Sequence, residues 1–155
     1  MNHSKTIHTV GVVGAGTMGS ALAQKFAQEG FRVGIHYRNS REEAGALLAE
    51  IGDGFLLQAD MAEIDQVEQM VLQLKDQTAH VDVLVNNAGQ SINADINSMK
   101  IEQFDAQRSL TRGIWYLTKR IVRLFMLRKN SGRIINISSV VGHTANRTPR
   151  IQVAT

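Results

Sequence analysis

Several features that would identify a class of protein are missing from these 155 residues. The chain has no cysteine, which excludes disulfides, thiolate nucleophiles and cysteine-ligated zinc, and its one proline is Pro149. No run of about 18 apolar residues occurs, so no membrane-spanning helix is predicted. Residues 1–8 have no signal-peptide core and are expected to form a disordered lead-in. Without such a core, a cytoplasmic location is expected. The five histidines are scattered, so we predict no metal site.

Acidic residues are missing from the last third of the chain. Residues 1–105 contain all 14 acids and 7 Lys or Arg, whereas residues 106–155 contain 10 Lys or Arg and no acid. Such a segment is either a solvated helix face with an exposed tail or a surface that attracts an anionic partner. No nucleic-acid motif accompanies these charges, so we do not expect nucleic acid as the partner.

Predicted strands alternate with predicted helices along the chain. Short runs rich in apolar and β-branched residues predict strands over 9–13, 32–37, 55–59, 81–85 and 133–137. Ser40 and Glu43 have the spacing of a capping box at the start of the second helix. This alternation predicts an α/β, Rossmann-like, doubly wound parallel sheet of about five strands in the order 3-2-1-4-5. We expect one dinucleotide-binding domain over 9–142, followed by a divergent tail over 143–155.

A glycine-rich loop joins the first predicted strand to the first predicted helix. Its pattern, G-x-G-x-x-G, is weak alone, but a strand before it and a helix after it are the context of a dinucleotide-binding loop. The helix start would then face a pyrophosphate with free N–H groups. The alternative is a glycine-rich turn with no ligand. The candidate cofactor-binding residues of this loop are Gly14, Gly16, Thr17, Met18 and Gly19.

The end of the second strand indicates which dinucleotide is bound. An acid at this point would accept a hydrogen bond from a ribose hydroxyl, but none occurs before Glu42. The residues present are His36, Tyr37, Arg38, Asn39 and Ser40, which favour the 2′-phosphate of NADP(H) over NAD(H), and the last four are the candidate cofactor-binding residues. Alternatively, Arg38 is a solvated loop residue.

Four segments together resemble the short-chain dehydrogenase/reductases, especially the 3-oxoacyl-acyl-carrier-protein reductases and pteridine-reductase-like members. They span residues 36–44, 58–61, 82–89 and 132–142. The resemblance implies hydride transfer between a nicotinamide and a carbonyl or hydroxyl substrate. It places Asp60 and Met61 beside the adenine, places Asn87, Ala88 and Gly89 beside the ribose, and makes Ser139 the catalytic serine. Asp60 could instead cap a helix, and Asn86 and Asn87 could form a loop that satisfies its own backbone.

The chain departs from the family pattern at four points. Val13 stands in place of a threonine, and the glycine spacing is similar to that of 3-hydroxyacyl-CoA dehydrogenases. No asparagine occurs near Leu110 or Thr111, where the family has one. Gln152 stands where the resemblance places the catalytic tyrosine, and the partner lysine would fall beyond Thr155. We therefore expect a truncated, catalytically impaired member, or alternatively a non-catalytic dinucleotide-binding or basic interaction module.

The resemblance also implies partners. Basic residues at the end of the fourth helix would meet an acidic carrier protein, and the matching pair is Arg128 and Lys129. The apolar face over 114–125 is where the family builds its dimer, so a homo-oligomer is expected. Tyr116 has Arg120 four residues later instead of lysine, so we interpret it as a packing aromatic of the helix.

Overall fold

The five predicted strands form one parallel sheet. A computed structural model describes residues 9–14, 16–89 and 97–138. Numbered along the chain, the strands lie in the order 3-2-1-4-5, which confirms the predicted order. Neighbouring strands pair in parallel throughout the sheet. The strands are β1 Thr9–Val13, β2 Arg32–Tyr37, β3 Gly54–Gln58, β4 Val83–Asn86 and β5 Arg133–Asn136.

Helices connect the strands and cover both faces of the sheet, as right-handed crossovers require. The fourth helix continues through a π turn, Val122–Met126, and a 3-10 turn, Leu127–Lys129, and it ends at Asn130 with a left-handed φ of 49°. The predicted end near Lys129 is therefore correct. The helices are α1 Thr17–Gln28, α2 Arg41–Ile51, α3 Ile64–Gln77 and α4 Ile101–Ile121.

Two apolar cores lie on opposite faces of the sheet. The core on one side joins Val10, Val33 and Ile35 of the central strands to α1 and α2. The core on the other side joins β3 and β4 to α3 and α4. The predicted apolar face of α3 is buried in this second core through Val67, Met70, Val71 and Leu74.

The ends of β4 differ from the prediction. The strand begins at Val83 and includes Asn86, two residues later than the apolar run suggested at the start. Asp82 lies just before the strand and contacts the start of β1: its carboxylate accepts a hydrogen bond from the Thr9 N–H at 3.0 Å, and its own N–H donates to the Thr9 carbonyl at 2.9 Å. At the other end, the Ile137 N–H donates to the Asn86 carbonyl, which extends the ladder.

A three-residue cluster connects α3 to α4. Arg120 donates from Nε and Nη2 to the two carboxylate oxygens of Glu68, at 2.8 and 2.5 Å. The Tyr116 hydroxyl donates to Glu68 Oε2 at 3.0 Å. These hydrogen bonds from Arg120 hold the pKa of the Glu68 carboxyl below its ordinary value. The hydrogen bond to Glu68 raises the pKa of Tyr116 above its ordinary value. The Tyr116 side chain packs against the core, as its helical spacing predicts.

Candidate functional site

A pocket opens at the carboxyl ends of the strands, where open parallel sheets bind their ligands. Its volume is about 450 Å³. The glycine loop and the segment after β4 form one side, and the segments after β2 and β3 form the other. The lining residues are Gly14, Gly16, His36, Tyr37, Arg38, Asn39, Ser40, Glu43, Asp60, Met61, Asn87, Ala88, Gly89 and Leu110.

The three glycines of the loop differ in what a side chain at each position would meet. Gly14 has a φ of 96°, and a Cβ there would lie 3.3 Å from the Ala88 backbone. A Cβ on Gly19 would overlap the Gly14 carbonyl oxygen and lie 2.9 Å from Asn87 Nδ2. By contrast, Gly16 is the N-cap of α1 with an extended backbone, and a Cβ there would meet nothing within 4 Å. Gly14 and Gly19 therefore shape the loop, whereas Gly16 leaves open space over the helix start.

The segment after β2 presents polar side chains to the pocket. Tyr37 is buried at the strand end, and Arg38, Asn39 and Ser40 are exposed. The backbone of the turn is fixed, because Gln58 Nε2 donates to the Arg38 carbonyl at 3.0 Å and the Arg41 N–H donates to the Asn39 carbonyl at 2.9 Å. Within the described parts of the chain, the Arg38 guanidinium forms no ion pair. Its charge is therefore free to meet an anionic ligand.

The predicted capping box at Ser40 and Glu43 is wrong. Ser40 is the N-cap of α2, but its side chain makes no capping hydrogen bond. Both residues line the pocket instead. The spacing alone could not reveal this, because the ψ of 64° at Ser40 departs from the extended conformation typical of a capping residue.

His36 is a buried pocket residue that the prediction did not include among the site residues. Its Nε2 lies 2.8 Å from the Ala59 carbonyl oxygen, which can only accept, so this nitrogen is the donor. Burial lowers the pKa of His36, although the Ala59 hydrogen bond and the nearby Asp60 charge oppose the change. The ring is therefore neutral at neutral pH. Its Nδ1 is buried and has no partner among the described residues.

Asp60 and Met61 form the wall after β3. The Asp60 carboxylate accepts from the Ala62 N–H at 2.9 Å, and the Asp60 N–H donates to Gln66 Oε1 at 2.9 Å. The alternative that Asp60 caps α3 is wrong, because the N-cap is Glu63. Met61 is buried beneath α4, where a Cβ on Gly113 would overlap the Met61 carbonyl oxygen. This close crossing brings α4, and with it Leu110, to the pocket.

The two asparagines after β4 have different positions. Asn86 is buried, and its Nδ2 donates to Thr118 Oγ1 at 3.0 Å and to Asn136 Oδ1 at 2.8 Å. It therefore connects β4, β5 and α4 and is not a loop residue. Asn87 lines the pocket together with Ala88 and Gly89, beside the glycine loop.

The pocket does not include every predicted site residue. Thr17 and Met18 are exposed on α1 outside the lining, and Gly19 is buried under the loop. Ser139 and the tail over 143–155 lie outside the described residues, as does the lead-in over 1–8. Three lining residues were not among the predicted set. They are His36, Glu43 and Leu110.

The surface of α4 separates into a buried face and a basic face. Leu117, Ile121 and Phe125 are buried in the core of the same chain, so the apolar face expected to build a dimer is already covered. Arg128 and Lys129 are exposed. Lys119 lies 5.3 Å from the centre of the Trp115 ring, which is 61% exposed.

Neither a cluster of metal-ligating side chains nor a membrane-spanning helix occurs within the described ranges. Residues 9–14, 16–89 and 97–138 contain no group of three or more His, Cys, Asp or Glu that could hold a metal ion. No helix in these ranges is long and apolar enough to cross a membrane.

Comparisons with known proteins agree with the geometry of the fold and the pocket. The family model described as short chain dehydrogenase matches residues 8–150. The chain is 38% identical over 134 residues to a 3-oxoacyl-[acyl-carrier-protein] reductase of Synechocystis sp., covering 83% of this chain and 54% of the relative. It is 36% identical to the Staphylococcus aureus reductase of the same name, covering 89% and 58%. The chain thus spans between half and three-fifths of the length of these relatives.

Solved structures show the same architecture. An actinorhodin polyketide ketoreductase with NADPH superposes with a TM-score of 0.84 at 25% identity, covering 91% of this chain and 56% of the other. A short chain dehydrogenase from Burkholderia cenocepacia in complex with NADP gives 0.83 at 25% identity, covering 91% and 59%. Together with the strand order and the glycine loop, these matches confirm the family resemblance. The chain belongs to the short-chain dehydrogenase family and is similar to its 3-oxoacyl-[acyl-carrier-protein] reductases.

Proposed function

We propose that this chain binds a nicotinamide dinucleotide in the pocket at the carboxyl ends of β1 to β4. The observation that carries the proposal is the open space over Gly16 at the start of α1, opposite the polar wall after β2. The free N–H groups and dipole of the helix start favour a pyrophosphate there. Asp60 and Met61 would then lie beside the adenine, and Asn87, Ala88 and Gly89 beside the ribose.

We infer that NADP(H) is favoured over NAD(H). Arg38 and Ser40 line the same wall of the pocket, and a planar guanidinium suits the oxygens of a 2′-phosphate. Two of the similar structures are described as holding NADPH and NADP. The preference therefore rests on one exposed cation and one hydroxyl.

The reaction class proposed for the whole protein is reduction of a carbonyl or oxidation of a hydroxyl. A bound nicotinamide supplies the hydride, and the protein supplies position and a proton. In this chain Ser139 would hydrogen-bond the substrate carbonyl. Gln152 occupies the place expected for the proton donor, and an amide has no proton to give at neutral pH. We therefore propose weak or absent turnover, since loss of a general acid costs about 10²–10⁴-fold in rate.

The test is a titration of the purified chain with NADPH and with NADH. Energy transfer from Trp115, the only tryptophan, reports binding, since it lies about 7.5 Å along α4 from pocket-lining Leu110. Saturation by both with tighter NADPH binding is expected. The control is Gly16→Asp, because aspartate is a favourable N-cap that keeps the helix while its carboxylate repels phosphates. Absence of binding by the folded wild-type chain would overturn the proposal.

A non-catalytic dinucleotide-binding or basic interaction module remains the alternative. It is supported by the exposed Arg128 and Lys129, which could meet an acidic carrier protein. Such binding would weaken with salt and survive Gly16→Asp. Under either function we propose that the chain forms a homo-oligomer and is cytoplasmic. Light scattering tests the first prediction and cell fractionation tests the second.

A further inference from the structure

The start of α2 places an acidic residue, Glu43, in the lining of the pocket. Glu43 occupies the third position of the helix, where its spacing from Ser40 would suit a capping box. The box does not form, and both residues line the pocket. Glu43 is exposed and forms no ion pair with another described residue. Its charge is thus available to a ligand.

The wall therefore contains opposite charges that do not neutralise each other. Arg38 and Glu43 line the same pocket, but they form no ion pair with one another. A cation there attracts a 2′-phosphate, which carries about −1.5 to −2 charges at neutral pH. A carboxylate repels the phosphate but accepts a hydrogen bond from a ribose hydroxyl. The two side chains therefore select for different dinucleotides.

We propose that Glu43 determines cofactor specificity by opposing Arg38 and weakening the preference for NADP(H) over NAD(H). This inference rests on the proposed function, because it requires that a dinucleotide occupies the pocket. The wild-type chain then binds NADPH and NADH with dissociation constants that differ by less than about tenfold, since repulsion by one carboxylate offsets much of the attraction by one guanidinium.

The test compares Glu43→Gln with the matched control Glu42→Gln. Both substitutions remove one exposed carboxylate from the first turn of α2, but Glu42 does not line the pocket. Dissociation constants for NADPH and NADH are measured for each variant by energy transfer from Trp115. Circular dichroism establishes that each variant is folded.

Glu43→Gln is expected to tighten NADPH binding by about three- to tenfold at low salt, because the repulsion of the phosphate is removed. NADH binding should stay the same or weaken, and Glu42→Gln should leave the ratio of the two constants unchanged. The shift should shrink as salt is added.

Three outcomes would contradict the assignment. An unchanged ratio in Glu43→Gln would show that the carboxylate does not face the bound 2′-position. An equal shift in Glu42→Gln would show a general effect of charge at the helix start. If the wild-type chain binds neither dinucleotide, the proposed function fails and the role of Glu43 fails with it, whereas binding with an unchanged ratio contradicts Glu43 alone.

Discussion

The glycine loop offers a prediction in which two similar substitutions have opposite consequences. Gly16→Ala should weaken dinucleotide binding and preserve the fold, whereas Gly19→Ala should destabilise the fold. The difference arises because a Cβ on Gly16 meets nothing within 4 Å, while a Cβ on Gly19 overlaps the carbonyl oxygen of Gly14. The two positions are three residues apart and receive the same methyl group.

For Gly16→Ala, the structural cost is small. Gly16 has φ and ψ of −68° and 178°, which any residue adopts, so a side chain there causes no backbone strain. Alanine is a poorer N-cap than glycine, so the substitution should lower the unfolding free energy by about 1 kcal/mol. The new methyl group would occupy the space proposed for the pyrophosphate. Losing one charge-assisted hydrogen bond from the helix start costs about 1.5–3 kcal/mol, so we expect binding at least about tenfold weaker.

For Gly19→Ala, two effects compete. Alanine gains about 0.5–1 kcal/mol over glycine inside a helix. Overpacking costs about 1–3 kcal/mol, and here the obstacle is backbone that has no other rotamer. The clash should win, and each 1 kcal/mol of net loss should lower the melting temperature by roughly 2–4 °C.

The measurements are thermal unfolding by circular dichroism and titration with NADPH. A stable Gly16→Ala variant that binds like wild type would refute the placement of the phosphates at the helix start. A Gly19→Ala variant as stable as wild type would refute the close approach of α1 to the loop.

Two further predictions concern α4. Glu68→Gln should remove part of the acid sensitivity of the fold, because the hydrogen bond from Arg120 lowers the folded-state pKa of Glu68. The ionised carboxylate stabilises the folded state by less than about 1 kcal/mol. This stabilisation is complete above the ordinary pKa of 4.5 and is lost as the pH falls below it. The free energies of unfolding of wild type and Glu68→Gln are measured with urea at about pH 7 and about pH 3.5. An equal loss of stability in wild type and variant between these pH values would contradict the prediction. Gly113→Ala should lower the melting temperature by several degrees, because its Cβ would overlap the Met61 carbonyl oxygen. The control Gly45→Ala, on α2, should leave the melting temperature unchanged or higher, because its Cβ would meet nothing within 4 Å. Equal melting temperatures for Gly113→Ala and wild type would contradict the close crossing of α4.

Much of the fold could be predicted because burial imposes a period on the sequence. A strand that is covered on both faces of a parallel sheet, such as β2, appears as a short apolar run, and the four apolar residues of α3 follow the helical repeat. Strand order followed from the handedness of the connections and the short loops between neighbouring elements. The limits of β4 could not be predicted, because they depend on hydrogen bonds from Thr9 and Ile137, which are distant in sequence.

The candidate site was predicted less completely. The glycine loop and the Asn87–Gly89 segment have local sequence patterns, and the structure places them together in the lining of the pocket. His36 has no such pattern, since burial and the Ala59 hydrogen bond arise only when β2 and β3 pair. The place of Glu43 in the pocket could not be predicted, because the spacing between Ser40 and Glu43 does not reveal the backbone conformation at Ser40 on which a capping box depends.

The sequence by itself determined the alternation of strands and helices, the family and the position of the glycine loop, because these depend on residues close together in the chain. Tertiary structure alone decided that Leu110 reaches the pocket, since this requires the contact between Gly113 and Met61. It also decided that Glu43 lines the pocket together with Arg38, since the spacing between Ser40 and Glu43 predicted a capping box that does not form.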